Sequence, residues 1–273
     1  MSPVQRVPAL DTLLREPLGI DDPADLLERM YLYGDDRQTA VLHRLRMLTF
    51  WRLMQAHRSE LSHQPGLDAG CSGGAYCRML ARLGCASVWG IDIDRKAVER
   101  AGRALWFDPR MNGRNCYVFK ALDLCRDAPG RGDCFGIVVC SEVLEEVAKP
   151  LVVLQHLRDV VRPGGLLAVS VPNRNSLFYL AQRLAYPRAG LGARRHSFFP
   201  ADWTHRLLRL EDSDYPHVEE QWHLEAWAGV NLLFDSKRLR WFDRGWIHRL
   251  NLAVSYHAPD WSQFTWFLLR KRW

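Results

Sequence analysis

The chain has 273 residues, 48% of them apolar and 25% charged, enough to bury a core without disulfides or metal and too apolar for a disordered protein. No apolar run reaches the roughly 18 residues of a membrane span, and the first stretch, MSPVQRVPALDTLLREPLG, has no apolar core of signal-peptide length, so integral membrane and secreted classes are not expected. The net charge of +6 permits weak attraction to nucleic acid or acidic lipid but establishes neither, and a solvated basic surface is the plainer reading.

Residues 1–20 are interrupted by proline and read as irregular. Residues 23–59 carry apolar positions at helical spacing (Leu26, Leu27, Met30, Tyr31, then Leu42, Leu45, Leu48, Leu53), and Gly34-Asp35-Asp36-Arg37 breaks them into two helices. Residues 1–60 therefore read as a helical cap. From 66 to 171 short apolar runs alternate with helical stretches. Strands are expected at 66–70, 87–92, 116–120, 135–140 and 166–171, and helices at 74–83, 95–105 and 150–161, the last stopped by Arg162-Pro163-Gly164-Gly165. Such alternation means a parallel α/β sheet. Beyond it, 174–217 reads as helix and loop, 218–227 as a candidate strand and 263–270 as a terminal strand. All seven cysteines fall between Cys71 and Cys140, with no CxxC pair, which suits reduced thiols in a cytoplasmic protein, most of them small core residues.

The most informative stretch is Leu67-Asp68-Ala69-Gly70-Cys71-Ser72-Gly73-Gly74-Ala75-Tyr76. It ends the first strand and opens a helix, where open α/β sheets bind their ligands and a helix presents free N–H groups. Dinucleotide binding would need glycines at 70, 72 and 75, but the chain has Gly70, Ser72 and Ala75, and Asp68 would repel a pyrophosphate. Gly70-Cys71-Ser72-Gly73-Gly74 also fits the G-x-S-x-G elbow of a serine hydrolase using Ser72. The preceding residues look helical, however, and an elbow needs several strands before it. S-adenosylmethionine fits better, because it has an ammonium, a carboxylate, a ribose diol and an adenine but no phosphate. Asp68 before the glycines suits the ammonium. Asp92 ends the second strand, 22 residues past Gly70, and suits the ribose hydroxyls. Asp123 follows the third strand and suits the adenine amine.

On these residues the chain resembles class I S-adenosylmethionine-dependent methyltransferases, of the small-molecule, quinone O-methyltransferase-like kind. Leu67 to Gly74 is similar to the family's first motif. Val88-Trp89-Gly90-Ile91-Asp92-Ile93-Asp94 is similar to its second. Phe119-Lys120-Ala121-Leu122-Asp123-Leu124 sits where its adenine-binding acid falls. Phe135-Gly136-Ile137-Val138-Val139-Cys140-Ser141-Glu142-Val143-Leu144-Glu145-Glu146-Val147 resembles FDxVxCSEVLEHV, and Arg162-Pro163-Gly164-Gly165 resembles its KPGG. The resemblance covers about 66–175. Ser72 stands where the family usually has glycine, Gly136 where it has Asp, and Glu146 where it often has His. The resemblance implies a Rossmann-like α/β fold of seven strands, the last antiparallel, with 263–270 as the hairpin partner. Residues 61–273 would form the methyltransferase domain, with a substrate-covering insertion at about 174–260. It implies S-adenosyl-L-methionine held by Asp68, Gly70, Cys71, Ser72, Gly74, Asp92, Ile93, Asp123, Leu124 and Ser141.

The expected activity is methyl transfer to oxygen, or nitrogen, of a small-molecule biosynthetic acceptor. A helix starting near 142 would put Glu142, Glu145 and Glu146 on one face, and Glu142 and Glu146 are catalytic candidates. In Arg194-Arg195-His196-Ser197-Phe198-Phe199, which resembles a segment covering the site in small-molecule methyltransferases, His196 is the candidate base. Glu142 and Glu145 fit a Glu-x-x-Glu metal spacing, but Glu146 replaces its histidine, so no metal is expected. Nucleic acid is disfavoured as a partner: the Pro-Pro-aromatic and Pro-Cys motifs of the base-modifying classes are absent. Residues 177–186 suit a lid or core packing better than membrane-surface contact through 177–195. Trp222, Trp227, Trp241, Trp246, Trp261 and Trp266 suit a core first and an aromatic ligand pocket second. Tyr31 and Tyr33 are candidates to close over the cofactor. An RNA-modifying methyltransferase and a catalytically inactive cofactor-binding protein are the alternatives.

Overall fold

The computed structural model describes residues 37–106, 116–173, 176–177, 179–180, 221–232 and 245–273. The apolar runs form one sheet: β1 (Pro65–Ala69), β2 (Ser87–Asp92), β3 (Cys116–Ala121), β4 (Phe135–Ser141), β5 (Val161–Pro172), β6 (Trp222–Val230) and β7 (Phe264–Lys271). Its order is β3-β2-β1-β4-β5-β7-β6. The first five strands pair in parallel, and β7 runs antiparallel to both β5 and β6. Chain order reverses between β1 and β4, so their carboxyl ends flank the crevice where such sheets bind ligands.

The helices are α1 (Arg37–Gln55), α2 (Arg58–Leu61), α3 (Ala75–Leu83), α4 (Arg95–Trp106), α5 (Pro150–Val160) and α6 (Gly245–Tyr256). The continuous apolar run of β4 is buried on both faces, and its side chains alternate between two cores. Ile137 and Val139 join Phe50, Met54, Met79, Leu80, Val98 and Trp266 on the face covered by α1, α3, α4 and α6. Val138 and Cys140 join Leu67, Ile91, Val153, Leu157 and Phe267 on the face covered by α5.

Expected and observed bounds agree within a residue or two for most elements. β5 departs: it begins at Val161, and Arg162-Pro163-Gly164-Gly165 is an irregularity within it, where the pairing with β4 shifts register and Gly164 turns left-handed, rather than only a helix stop. β6 and α6 fall inside the 174–260 interval, where they complete the sheet and its cover. α1 packs on β6, β7 and α3. Its anchor is Trp266, whose Nε1 donates to the Arg46 carbonyl at 3.1 Å and whose ring lies 5.2 Å from Phe50 and 5.5 Å from Tyr76. Trp222 and Trp266 are core, as the tail's composition suggested, whereas Trp261 is exposed. Among the described residues no helix is long and apolar enough to cross a membrane.

Candidate active site

The site begins at the glycine turn. Gly70 and Cys71 both donate their N–H groups to the Ile91 carbonyl at 2.8 Å, which pins the turn to the end of β2. Gly70 has φ +82°, a left-handed conformation that suits glycine. A Cβ there would also lie 2.2 Å from Val143 Cγ2, so the turn and the loop after β4 are in direct contact. Ser72 has φ +43°, which accounts for glycine being usual at that position. Gly74, at φ +81°, opens α3.

Asp68 is 1% exposed and lies beneath the turn. Its Oδ2 accepts from Cys77 N at 3.1 Å and from Cys77 Sγ at 3.3 Å, tying β1 to α3. Oδ1 is buried without a hydrogen-bond partner among the described residues. Burial pushes the carboxyl up to about 7; the Cys77 hydrogen bonds oppose the rise and the Asp92 charge adds to it.

Asp92 ends β2 with both oxygens at work: Oδ2 accepts from Ser72 N and Oδ1 from Asp94 N, each at 2.9 Å. Beside it Ile93 is 73% exposed, an apolar surface set next to a carboxylate. Asp123, after β3, accepts from Cys125 N at 2.9 Å and pairs with Arg126 at 3.3 Å. Leu124 is buried, and its carbonyl lies 3.0 Å from His156 Nδ1. Three acids at or just past the carboxyl ends of successive strands thus reach the same end of the sheet as the glycine turn.

The loop after β4 corrects an expectation. Residues 142–147 form a turn, not a helix, because Glu142 adopts φ +56° and its N–H goes to the Ser170 carbonyl at 3.1 Å. The three glutamates therefore do not share a helix face. Glu146 is exposed. Glu142 Oε2 pairs with Arg46 Nη1 at 3.0 Å, and Oε1 accepts from Ser170 Oγ at 3.0 Å. Ser170 Oγ lies 2.9 Å from Ser141 Oγ, which donates to Tyr76 OH at 3.3 Å. Burial, and after it the Glu142 charge, push the Glu145 carboxyl well above the usual carboxylate range. His43, hydrogen-bonded to Arg46, is pushed down to about 3 by burial and by the Arg46 charge, so its imidazole is neutral at ordinary pH.

The structure thus brings Gly70, Cys71, Ser72, Gly74, Asp92, Ile93, Ser141 and Glu142 to one end of the sheet, with Asp123 and Leu124 beyond β2. His196, Tyr31 and Tyr33 lie outside the described residues. Sequence reasoning missed Arg46, one of several arginines in α1 with nothing local to mark it as inward-facing, and Tyr76 and Ser170. Among the described residues no three His, Cys, Asp or Glu side chains are grouped as a metal site.

Comparison with known proteins agrees with this geometry. A family model described as a methyltransferase domain matches residues 22–241. The mitochondrial ubiquinone biosynthesis O-methyltransferase of Mus musculus is 35% identical over 130 residues, covering 45% of this chain and 34% of the relative. The ubiquinone biosynthesis O-methyltransferase of Thiobacillus denitrificans is 34% identical, covering 45% of this chain and 50% of the relative, so the chain matches half or less of the length of these relatives. Among solved structures, a magnesium protoporphyrin IX methyltransferase from Synechocystis shares the fold with TM-score 0.58 at 15% identity, covering 90% of this chain and 93% of that one. An S-adenosylmethionine-dependent methyltransferase from Mesorhizobium loti has TM-score 0.52 at 18% identity, covering 83% and 99%. With the family model matching most of its length and the seven-stranded sheet in place, the chain belongs to the methyltransferase-domain family.

Proposed function

We propose that this protein transfers a methyl group from S-adenosylmethionine to a hydroxyl oxygen of a small-molecule biosynthetic acceptor. The observation that carries this reading is Asp92 held against the glycine turn through Ser72 N at 2.9 Å, with the exposed Ile93 beside it. These residues fit the cofactor. Asp92 offers acceptor oxygens to ribose hydroxyls, Ile93 an apolar surface to adenine, and Asp123 an acceptor to its amine, with Leu124 next to it. Gly70, Cys71, Ser72 and Gly74 let the backbone come close, Asp68 supports them from beneath, and Ser141 marks the side toward the acceptor. When bound, the cofactor supplies an electrophilic methyl carbon on a sulfonium. The chain's own contribution is to orient the acceptor and manage its proton, for which we assign Glu142 and, from outside the described residues, His196, with Glu146 on the exposed side of the same loop. The choice of oxygen rests on the relatives named as O-methyltransferases. We place the protein in the cytoplasm, where its seven free cysteines stay reduced.

Calorimetric titration with S-adenosylmethionine and then S-adenosylhomocysteine tests the cofactor, and a screen of catechols and phenols with labelled cofactor tests the acceptor class. Micromolar binding of both ligands and label transfer to a hydroxyl are expected. A folded protein that binds neither at millimolar concentration overturns the reading.

A further inference from the structure

α1 precedes the first strand and carries none of the motif residues, yet one of its side chains reaches the loop after β4. Arg46 is 4% exposed. Its Nη1 lies 3.0 Å from Glu142 Oε2, Nη2 contacts His43 one turn earlier, and the guanidinium lies over the Phe264 ring, 5.1 Å from its centroid. A guanidinium this buried is costly without a carboxylate, and Glu142 supplies one. Glu142 is itself held in an unusual way. It is a non-glycine residue at φ +56°, a sparsely populated conformation that persists only where the surroundings fix it. Three contacts do so: its N–H donates to the Ser170 carbonyl at 3.1 Å, its Oε1 accepts from Ser170 Oγ at 3.0 Å, and its Oε2 meets Arg46. Both chain neighbours of Glu142 then touch the cofactor side. Val143 lies against Gly70, where a Cβ would come within 2.2 Å of Val143 Cγ2. Ser141 Oγ lies 3.3 Å from the hydroxyl of Tyr76, in the first turn of α3 after Gly74.

We propose that Arg46 is a positioning residue for the cofactor turn: by holding Glu142 in its left-handed conformation it sets Val143 against Gly70 and Ser141 against Tyr76, and so couples the docking of α1 to the affinity for S-adenosylmethionine. This rests on the cofactor assignment above and requires nothing of Glu142 toward the acceptor. Arg46 acts through Glu142, not by touching the cofactor. Such coupling is reciprocal, so bound cofactor also holds α1 more tightly to the sheet.

Two measurements test the proposal. The first is calorimetric titration with S-adenosylhomocysteine. Arg46→Met and Glu142→Gln should each raise its Kd about fivefold or more. The double variant should bind no more weakly than the weaker single one, because both changes break the same link. Arg46→Lys, which keeps the charge, should recover most of the loss. Lys271→Met is the structural control: Lys271 is buried and holds Asp133 at 2.6 Å and the Val161 carbonyl at 2.7 Å at the opposite end of the sheet. That variant should lose stability and keep the wild-type Kd. The second measurement is amide hydrogen exchange. S-Adenosylhomocysteine should slow exchange of the α1 amides around Arg46 in the wild type and not in Glu142→Gln, which serves even where Arg46→Met does not fold. Unchanged Kd in folded Arg46→Met, equal weakening in Lys271→Met, additive losses in the double variant, or α1 exchange indifferent to ligand in the wild type each overturn the proposal. A wild type that binds no S-adenosylhomocysteine overturns the cofactor reading and this inference with it, whereas a wild type that binds it no better than the variants overturns this inference alone.

Discussion

The Asp92 carboxylate accepts the Ser72 backbone N–H at 2.9 Å across 20 residues of chain. One side chain thus joins the end of β2 to a turn whose Ser72 sits in a left-handed conformation. Replacing Asp92 with Ala removes both this support and the oxygens we assign to the ribose. S-Adenosylhomocysteine binding should weaken by roughly 1.5–3 kcal/mol, the range for hydrogen bonds to charged groups, or about ten- to hundredfold in Kd. An unchanged dissociation constant by calorimetry removes the ribose assignment.

Ile93 separates binding from stability. At 73% exposed it contributes little to the folded core, so Ile93→Ala should shift unfolding by no more than about 0.5 kcal/mol. The same change should weaken cofactor binding, because it removes the apolar surface assigned to adenine. Equal affinity in wild type and variant would exclude that role.

Gly70→Ala meets two obstacles: a φ of +82° and a Cβ 2.2 Å from Val143 Cγ2. The left-handed backbone costs about 1–2 kcal/mol and the overlap about 1–3 kcal/mol. Urea unfolding should show the sum in the single variant. In a Val143→Ala background only the backbone part should remain. No recovery there would mean that the contact with the β4 loop is not what excludes a side chain.

Asp68 predicts a pH dependence with a definite sign. Its carboxyl is raised from 3.8 to about 7 by burial, so between those values the folded chain holds a proton that the unfolded chain has lost. This group's contribution therefore declines as pH rises from about 4 to about 7, by on the order of 4 kcal/mol at full extent. Asp68→Asn stays neutral throughout and should lose that slope. Chemical unfolding of both proteins at several pH values checks it, and parallel curves would show that Asp68 titrates normally.

β4 and the second half of β5 were legible because each is a short apolar run between turn residues, buried on both faces; β3, half-buried to exposed, was marked by its β-branched and aromatic residues. The glycine turn and Asp92 were legible because their chemistry lies in contiguous residues at strand ends. The loop after β4 was not. Glu142, Glu145 and Glu146 have helical spacing, yet the backbone turns left-handed at Glu142, where Ser170 on β5 and Arg46 on α1 take its polar groups. Gly136 shows the same limit. Read as a departure from Asp, it is required because Gln64 would lie 2.6 Å from any Cβ there.

From the sequence by itself follow the parallel α/β sheet, the resemblance to class I methyltransferases and the residues proposed to hold the cofactor, since each depends on neighbours a few positions away. Tertiary structure alone decided that Asp68 lies beneath the turn, that Arg46 from α1 meets Glu142, and that Ser170 from β5 reaches the same carboxylate. Those outcomes depend on strand register and on how α1 crosses the sheet. Both are set by packing across the core, exemplified by Trp266 against Phe50 and Tyr76, and distant side chains meet only after that packing has formed.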